Sequence, residues 1–218
     1  MVDFQSRDTR RSPSEDDEDE ADDEAEAVGT DDGGGHDEDH DDGHSHDHDH
    51  DHDHDHHEHD PESLGVAVVT VSSSRTREND PAGDTIESTL TGAGHEVVVR
   101  DVIRDDYDGV QNTIDAFVGR SDVDAVVTSG GTGVTPDDVT IEAVRPLFDK
   151  ELPGFGELFR LLSHEEIGTK VVGTRATAGV VDGAVVFCLP GSENATRLGT
   201  EEIVLEQAPH LAGLAQRD

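Results

Sequence analysis

The 218 residues contain no tryptophan, one tyrosine, one methionine and one cysteine, and aromatic side chains make up only 3% of the chain. A lone cysteine, Cys188, rules out an intrachain disulfide and gives no sign of an oxidising compartment. Lysine is nearly missing as well: Lys150 and Lys170 stand against 13 arginines. All 15 basic side chains together face 53 Asp and Glu, leaving a net charge of −38. That sign argues against nucleic acid and against anionic membranes as partners. Long apolar runs are absent too, since Val66–Val69 falls far short of the roughly 20 residues that a bilayer span needs. The chain opens MVDFQSRDTRRS and then turns acidic without an apolar signal core, so the expectation is a soluble, cytoplasmic protein.

The charge is unevenly spread. Residues 1–62 hold 27 Asp and Glu against three Arg, with almost no large apolar side chains. So little apolar surface cannot offset the entropy of ordering, and the reading is a disordered tail over 1–62 followed by one folded domain over 63–218. Within the tail, residues 36–60 are a low-complexity His/Asp tract. His44, His46, His48, His50, His52, His54 and His56 alternate with other residues, mostly Asp, a donor set suited to Zn²⁺, Ni²⁺ or Co²⁺. The same tract also reads as a solubilising tail with an accidental repeat. Residues 63–218 still carry 14 excess negative charges although they are rich in Val, Ile, Leu and Ala. Such a bias is that of halophilic proteins, whose self-repulsion is tolerable when concentrated salt screens it.

Strands and helices alternate after Pro61. Leu64–Val71, His95–Val102 and Asp124–Thr128 read as strands, Pro81–Ala93 and Gly109–Val118 as helices. Thr140–Phe148 and Phe155–Leu162 look helical. Val180–Leu189 contains one or two strands interrupted at Asp182-Gly183, and Ser192 is placed to cap a helix over Asn194–Leu205. Buried apolar strands alternating with helices predict a three-layer α/β/α domain with a mostly parallel sheet. Ligands then belong at the carboxyl ends of the strands. The candidate loops are Val71–Asp80, Val102–Tyr107, Ser129–Thr140 and Leu189–Asn194.

Thr128-Ser-Gly-Gly-Thr-Gly-Val-Thr-Pro-Asp-Asp-Val-Thr140 is the most informative of these stretches. A strand delivers the chain to Gly130, Gly131 and Gly133, whose missing Cβ atoms permit positive φ and a close backbone approach to a ligand. Successive N–H groups can form an anion nest, and Thr132 adds a hydroxyl. Asp138, five residues after Gly133, suits Mg²⁺ bridging a carboxylate and a phosphate. No Lys follows the glycines, so this is not a Walker loop. Taken alone, GGTG also reads as a tight turn with a capping Asp.

The wider pattern resembles the MoaB/Mog family. GGTGVTPDDVT is followed by LFDKELPGFGELFRLLSHEEIGT, TRATAGV and FCLPGSENA, in order and in spacing, from about Gly65 to Leu205. The molybdenum-insertion domains of the gephyrin type share this look. The resemblance implies a protein of molybdenum or tungsten cofactor assembly that binds molybdopterin. It further implies adenylylation of the pterin's terminal phosphate from Mg²⁺ and ATP, a homotrimer or homohexamer, and contact with other cofactor-assembly proteins. Carried onto this sequence, it assigns phosphates to Gly130–Gly133 and catalytic or metal roles to Asp138 and Asp105. Glu157 comes to the mouth of the site, Pro190-Gly191-Ser192 forms a further ligand loop, and Ser72, Arg175 and Ala178 fall in ligand-lining segments. Plain structural readings stand beside these: a solvated loop charge for Asp105, a helix-capping acid for Glu157, a surface ion pair for Arg175 and a bare N-cap for Ser192. The rival functions are a pterin carrier or assembly subunit without turnover, and a metal chaperone acting through the His tract.

Overall fold

The computed structural model describes residues 60–217. The acidic segment, its expected disorder and the candidate metal ligands His44 to His56 lie outside the described residues.

Six strands form one sheet in the order β2-β1-β3-β6-β5-β4. Second from one edge is β1 (Gly65–Val71), GVAVVTV, whose β-branched residues suit a pleated surface covered on both sides. It runs parallel to β2 (Glu96–Ile103) and β3 (Ala125–Ser129), and β3 runs parallel to β6 (Ala184–Leu189). The remaining two strands are antiparallel: β5 (Thr177–Val181) returns alongside β6, and the short β4 (Lys150–Glu151) closes the edge. The β5–β6 hairpin turns at Asp182 and Gly183, both at positive φ (48° and 84°), so the interruption at these two residues is a tight reversal.

Period-2 alternation sorts β1 between two cores. Val66 and Val68 pack with Ile86 and Leu90 of α1 (Pro81–Gly92), Phe155 and Phe159 of α4 (Pro153–Ile167), and Ala208 and Ala212 of α6 (Leu205–Ala215). Ala67, Val69 and Val71 face Val110 and Ile114 of α2 (Tyr107–Val118) and Ile141 and Val144 of α3 (Thr140–Val144). The domain is therefore three layers, helices on both faces of the sheet. Each buried Val, Ile, Leu or Phe contributes about 1.5–3 kcal/mol relative to exposure.

Local chemistry sets the helix ends. Asp80 caps α1 by accepting from Gly83 N at 3.2 Å, with Pro81 in the first turn. Asp106 caps α2 through Gly109 N at 2.7 Å, so that helix begins at Tyr107, two residues before Gly109. The expected helix over 140–148 is shorter than the pattern suggests. α3 ends at Val144 and a 3₁₀ turn (Arg145–Leu147) follows, because Pro146 has no N–H to continue the ladder. Beyond β6, α5 (Glu193–Gly199) runs through a wide π-type turn (Thr200–Val204) into α6, so the helical stretch extends well past Leu205.

One polar cluster is built into the fold between β1, β2 and α1. Asp80 is fully buried, accepts from Thr70 Oγ1 at 2.7 Å and pairs with Arg100 Nη2 at 2.9 Å. Arg100 Nη1 reaches Asp84 at 2.7 Å and Glu87 at 2.6 Å. Burial pushes the Asp80 carboxyl up, but donors from Thr70, Arg100 and Gly83 outweigh it and hold the group below the usual carboxylate range.

Candidate active site

The four parallel strands end side by side, and the chain leaves β1 for β2 on one side while β3 and β6 lie on the other. Such a reversal of strand order opens a crevice at the carboxyl ends. A cavity of about 570 Å³ occupies it, lined by the residues that follow Val71, Ile103, Ser129 and Leu189.

Its floor is main chain. Gly130 and Gly131 adopt φ of 104° and 64°, a region that L side chains rarely enter. A Cβ on Gly130 would stand 2.2 Å from Val71 O, and one on Gly191 would stand 3.0 Å from Gly130 Cα. The turn is pinned where Gly130 N donates to Leu189 O at 3.0 Å, Thr140 Oγ1 to Gly130 O at 2.9 Å and Thr140 N to Gly131 O at 3.0 Å. Those bonds occupy the carbonyls and leave the N–H groups of Gly131 and Thr132 with no protein acceptor among the described residues. Free N–H groups in a left-handed turn are the elements of an anion nest.

Two carboxylates flank the floor. Asp138 Oδ2 accepts from Thr135 N at 2.8 Å and Thr135 Oγ1 at 2.6 Å. Partial burial pushes its carboxyl up, yet the donors from Thr135 and Gly133, with Arg175 nearby, hold it below the usual range, so it is an anion at neutral pH. Asp105 accepts from Ser73 Oγ at 2.8 Å and lines the same cavity. Among the described residues no group of three or more His, Cys, Asp or Glu side chains could enclose a metal. A pair of carboxylates is a donor set that Mg²⁺ can take when phosphates and waters supply the rest. Asp138 and Asp105 are the side chains that would hold it.

Positive charge comes from two places. Arg75 Nη2 donates to Gly191 O at 3.0 Å and its Nη1 lies 3.5 Å from Asp80. Lys170 reaches the cavity from a 3₁₀ segment (Gly168–Gly173). Neither side chain is singled out by the sequence pattern. Their only signal there is scarcity, a basic residue in a candidate loop and one of two lysines in the chain.

Of the sequence-derived candidates, Ser72, Gly130, Gly131, Thr132, Gly133, Asp105, Asp138, Pro190 and Gly191 all line this cavity. Glu157 and Arg175 line a neighbouring cavity of about 400 Å³ instead. Arg175 pairs there with Glu142 and also donates to Asp138 O at 3.1 Å and Thr132 O at 3.4 Å, so it braces the glycine turn from behind. Ala178 is a correction: it is fully buried in β5 within the core, because its place in the pleat turns its methyl toward Phe155 and Phe187 rather than a ligand. Ser192 accepts from Ala195 N at 3.3 Å as the cap of α5 and borders a different cavity.

Known proteins resemble this chain in sequence and in fold. A family profile described as a probable molybdopterin binding domain matches residues 67–210. Molybdenum cofactor biosynthesis protein B of Halalkalibacterium halodurans is 43% identical over 138 residues, 63% of this chain and 81% of that protein. The protein of the same name from Bacillus subtilis is 41% identical over 145 residues, 66% of this chain and 85% of its own length. In structure, the tungsten cofactor synthesizing protein MoaB from Pyrococcus furiosus superposes with a TM-score of 0.64 at 41% identity, covering 72% of this chain and 99% of that one.

Proposed function

The chain belongs to the probable molybdopterin binding domain family, and from that premise we propose that it transfers AMP from ATP to the terminal phosphate of molybdopterin. Its field is molybdopterin-related biosynthesis, in company with molybdenum cofactor biosynthesis proteins B and a tungsten counterpart. An oxygen of the pterin phosphate attacks the α-phosphorus of ATP. A new P–O–P anhydride forms, the α–β bond breaks and pyrophosphate departs with the electron pair.

The observation that carries this reading is the pairing of a main-chain nest, Gly131 and Thr132, with two carboxylates and two cations in one cavity. The nest N–H groups hold a phosphate without bringing a side chain that could compete as nucleophile. Arg75 is fixed by Gly191 O and offers its remaining donors to a second anionic group, and Lys170 adds a mobile charge at the rim. Asp138 is fixed by Thr135 and Gly133, so its carboxylate needs no reorganisation at the moment of reaction. Mg²⁺ bound at Asp138 and Asp105 would offset the negative charge that two phosphorylated substrates bring together. The scheme uses no protein nucleophile.

The test is formation of AMP-molybdopterin with release of pyrophosphate, measured in concentrated KCl with purified protein, ATP and Mg²⁺. Turnover that Asp138→Asn abolishes supports the assignment. Stoichiometric molybdopterin binding without any ATP-dependent pyrophosphate release identifies a carrier and overturns it.

A further inference from the structure

The His/Asp tract takes no part in the glycine-floored cavity, and its chemistry points elsewhere. From residue 44 to residue 60 every residue except Ser45 is His, Asp or Glu, and nine of them are His. With 27 Asp and Glu against three Arg over residues 1–62, this part of the chain repels oxyanions, molybdate and tungstate among them, and attracts cations. Imidazole narrows the choice of cation. Mg²⁺ and Ca²⁺ take oxygen ligands, whereas neutral imidazole suits Zn²⁺, Ni²⁺ and Co²⁺. The folded domain meets the end of the tract at a fixed place. Ser63 Oγ donates to Gly94 O at 2.9 Å, and Leu64 N donates to His95 Nδ1 at 3.2 Å. Just before them the Asp60 carboxylate lies 3.2 and 3.3 Å from His210 Nδ1 on α6.

An ionised carboxylate only accepts, so Nδ1 of the neutral His210 ring carries the proton and the lone pair is placed on Nε2. Metal-binding histidines are oriented in this way, one nitrogen on the ion and the other donating to a carboxylate. His59, the last imidazole of the tract, is joined to Asp60 by a single peptide bond. Asp60 and His210 are too few to enclose an ion by themselves, and the tract brings further imidazoles to the same place. We propose that His210 Nε2 and imidazoles of the His/Asp tract together bind a transition metal ion of the Zn²⁺, Ni²⁺ or Co²⁺ class beside α6. Asp60 is the positioning residue, holding the tautomer and orientation of the His210 ring. The ion ties the tract to the folded domain, which distinguishes this site from chelation by the tract alone. A metal bridged to His210 binds the native chain more tightly than the unfolded one and raises the melting temperature, whereas a metal held by the tract alone leaves it unchanged.

The test uses the full chain, stripped with EDTA and titrated with Zn²⁺ against a chromophoric chelator, with Mg²⁺ and molybdate as control ions. The parent is expected to retain Zn²⁺ in excess Mg²⁺, to leave molybdate unbound, and to melt a few degrees higher once Zn²⁺ is added. His210→Gln keeps a donor for Asp60 and should melt like the parent without metal. It should nevertheless weaken the tightest Zn²⁺ site about tenfold or more and lose the rise in melting temperature that Zn²⁺ brings. Asp60→Ala should weaken the same site by about tenfold. Unchanged Zn²⁺ affinity in either variant, or an unchanged rise in melting temperature in His210→Gln, assigns the metal to the tract alone and overturns the proposal. A parent that gives up Zn²⁺ to Mg²⁺ overturns it as well. None of these readouts depends on adenylyl transfer, so this inference and the catalytic one stand or fall separately.

Discussion

Two aspartates beyond strand ends of the same sheet, Asp80 after β1 and Asp138 after β3, stand in opposite settings. Both accept from a backbone N–H close by in sequence, and both are held below the usual carboxylate range by hydrogen bonds. Asp80 is fully buried and tied to Thr70 and Arg100, so every lone pair faces the protein. Asp138 is partly exposed at the edge of a cavity, its bonds come from its own turn, and it keeps capacity to spare. The difference teaches that a low carboxyl pKa does not mark a functional group. What marks it is a charge left accessible and only partly satisfied.

Breaking the buried member should have the largest effect on stability. Asp80→Ala strands Arg100 in the interior and removes the cap of α1, with an expected loss of about 3–5 kcal/mol in unfolding free energy. Denaturant titration measures it. A loss under about 1 kcal/mol would show that Asp84 and Glu87 can hold Arg100 without Asp80. Asp138→Asn keeps an oxygen for Thr135 and should change stability by less than about 1 kcal/mol. Its adenylyl transfer should fall by about 10²–10³-fold, with molybdopterin affinity largely intact. Activity within a factor of about three of the parent removes Asp138 from the reaction.

Acid sharpens the contrast further. A carboxyl whose folded pKa is depressed contributes stability above its unfolded value, near 3.9, and loses it as pH falls through the folded value. Unfolding free energy should therefore decline below about pH 4, and Asp80→Ala should flatten part of that decline. Identical acid slopes in the two proteins would show that Asp80 is not the titrating group. Salt gives a milder change. With 14 excess negative charges on residues 63–218, rising KCl should increase stability and ATP affinity together, whereas a basic phosphate-binding site loses affinity. Thermal melts and ATP titrations from 50 mM to roughly 2 M KCl would show it, and flat curves would remove the halophilic reading. Smallest of all should be deletion of residues 1–59, whose composition offers almost no apolar surface to bury, with an expected change in stability under about 1 kcal/mol.

The central fold was legible because its signals are local. GVAVVTV and the run ending in SGGTG announce buried strands, and Gly130, Gly131 and Gly133 announce a backbone turn. Residues whose role depends on distant partners were not legible. Arg100 sits in a β2 that alternates weakly, and only the folded chain brings it to Asp80. Lys170 and Thr174 come to the cavity from a 3₁₀ segment and the residue after it, a stretch without periodicity, and the helix of residues 205–215 is masked by its internal Pro209. Ala178 shows the converse limit: motif position places it in a candidate segment, but the pleat turns its side chain into the core.

Where the floor of the cavity is only backbone, it is closed to sequence drift. Three chain segments meet at Val71 O, Gly130 and Gly191: a side chain at Gly130 forces the strand ends apart, and one at Gly191 presses on the Gly130 backbone. The rim is free of that restriction, because Arg75 and Lys170 reach in on long side chains from loops that can change without moving the sheet. The cavity is thus a fixed socket with a replaceable collar.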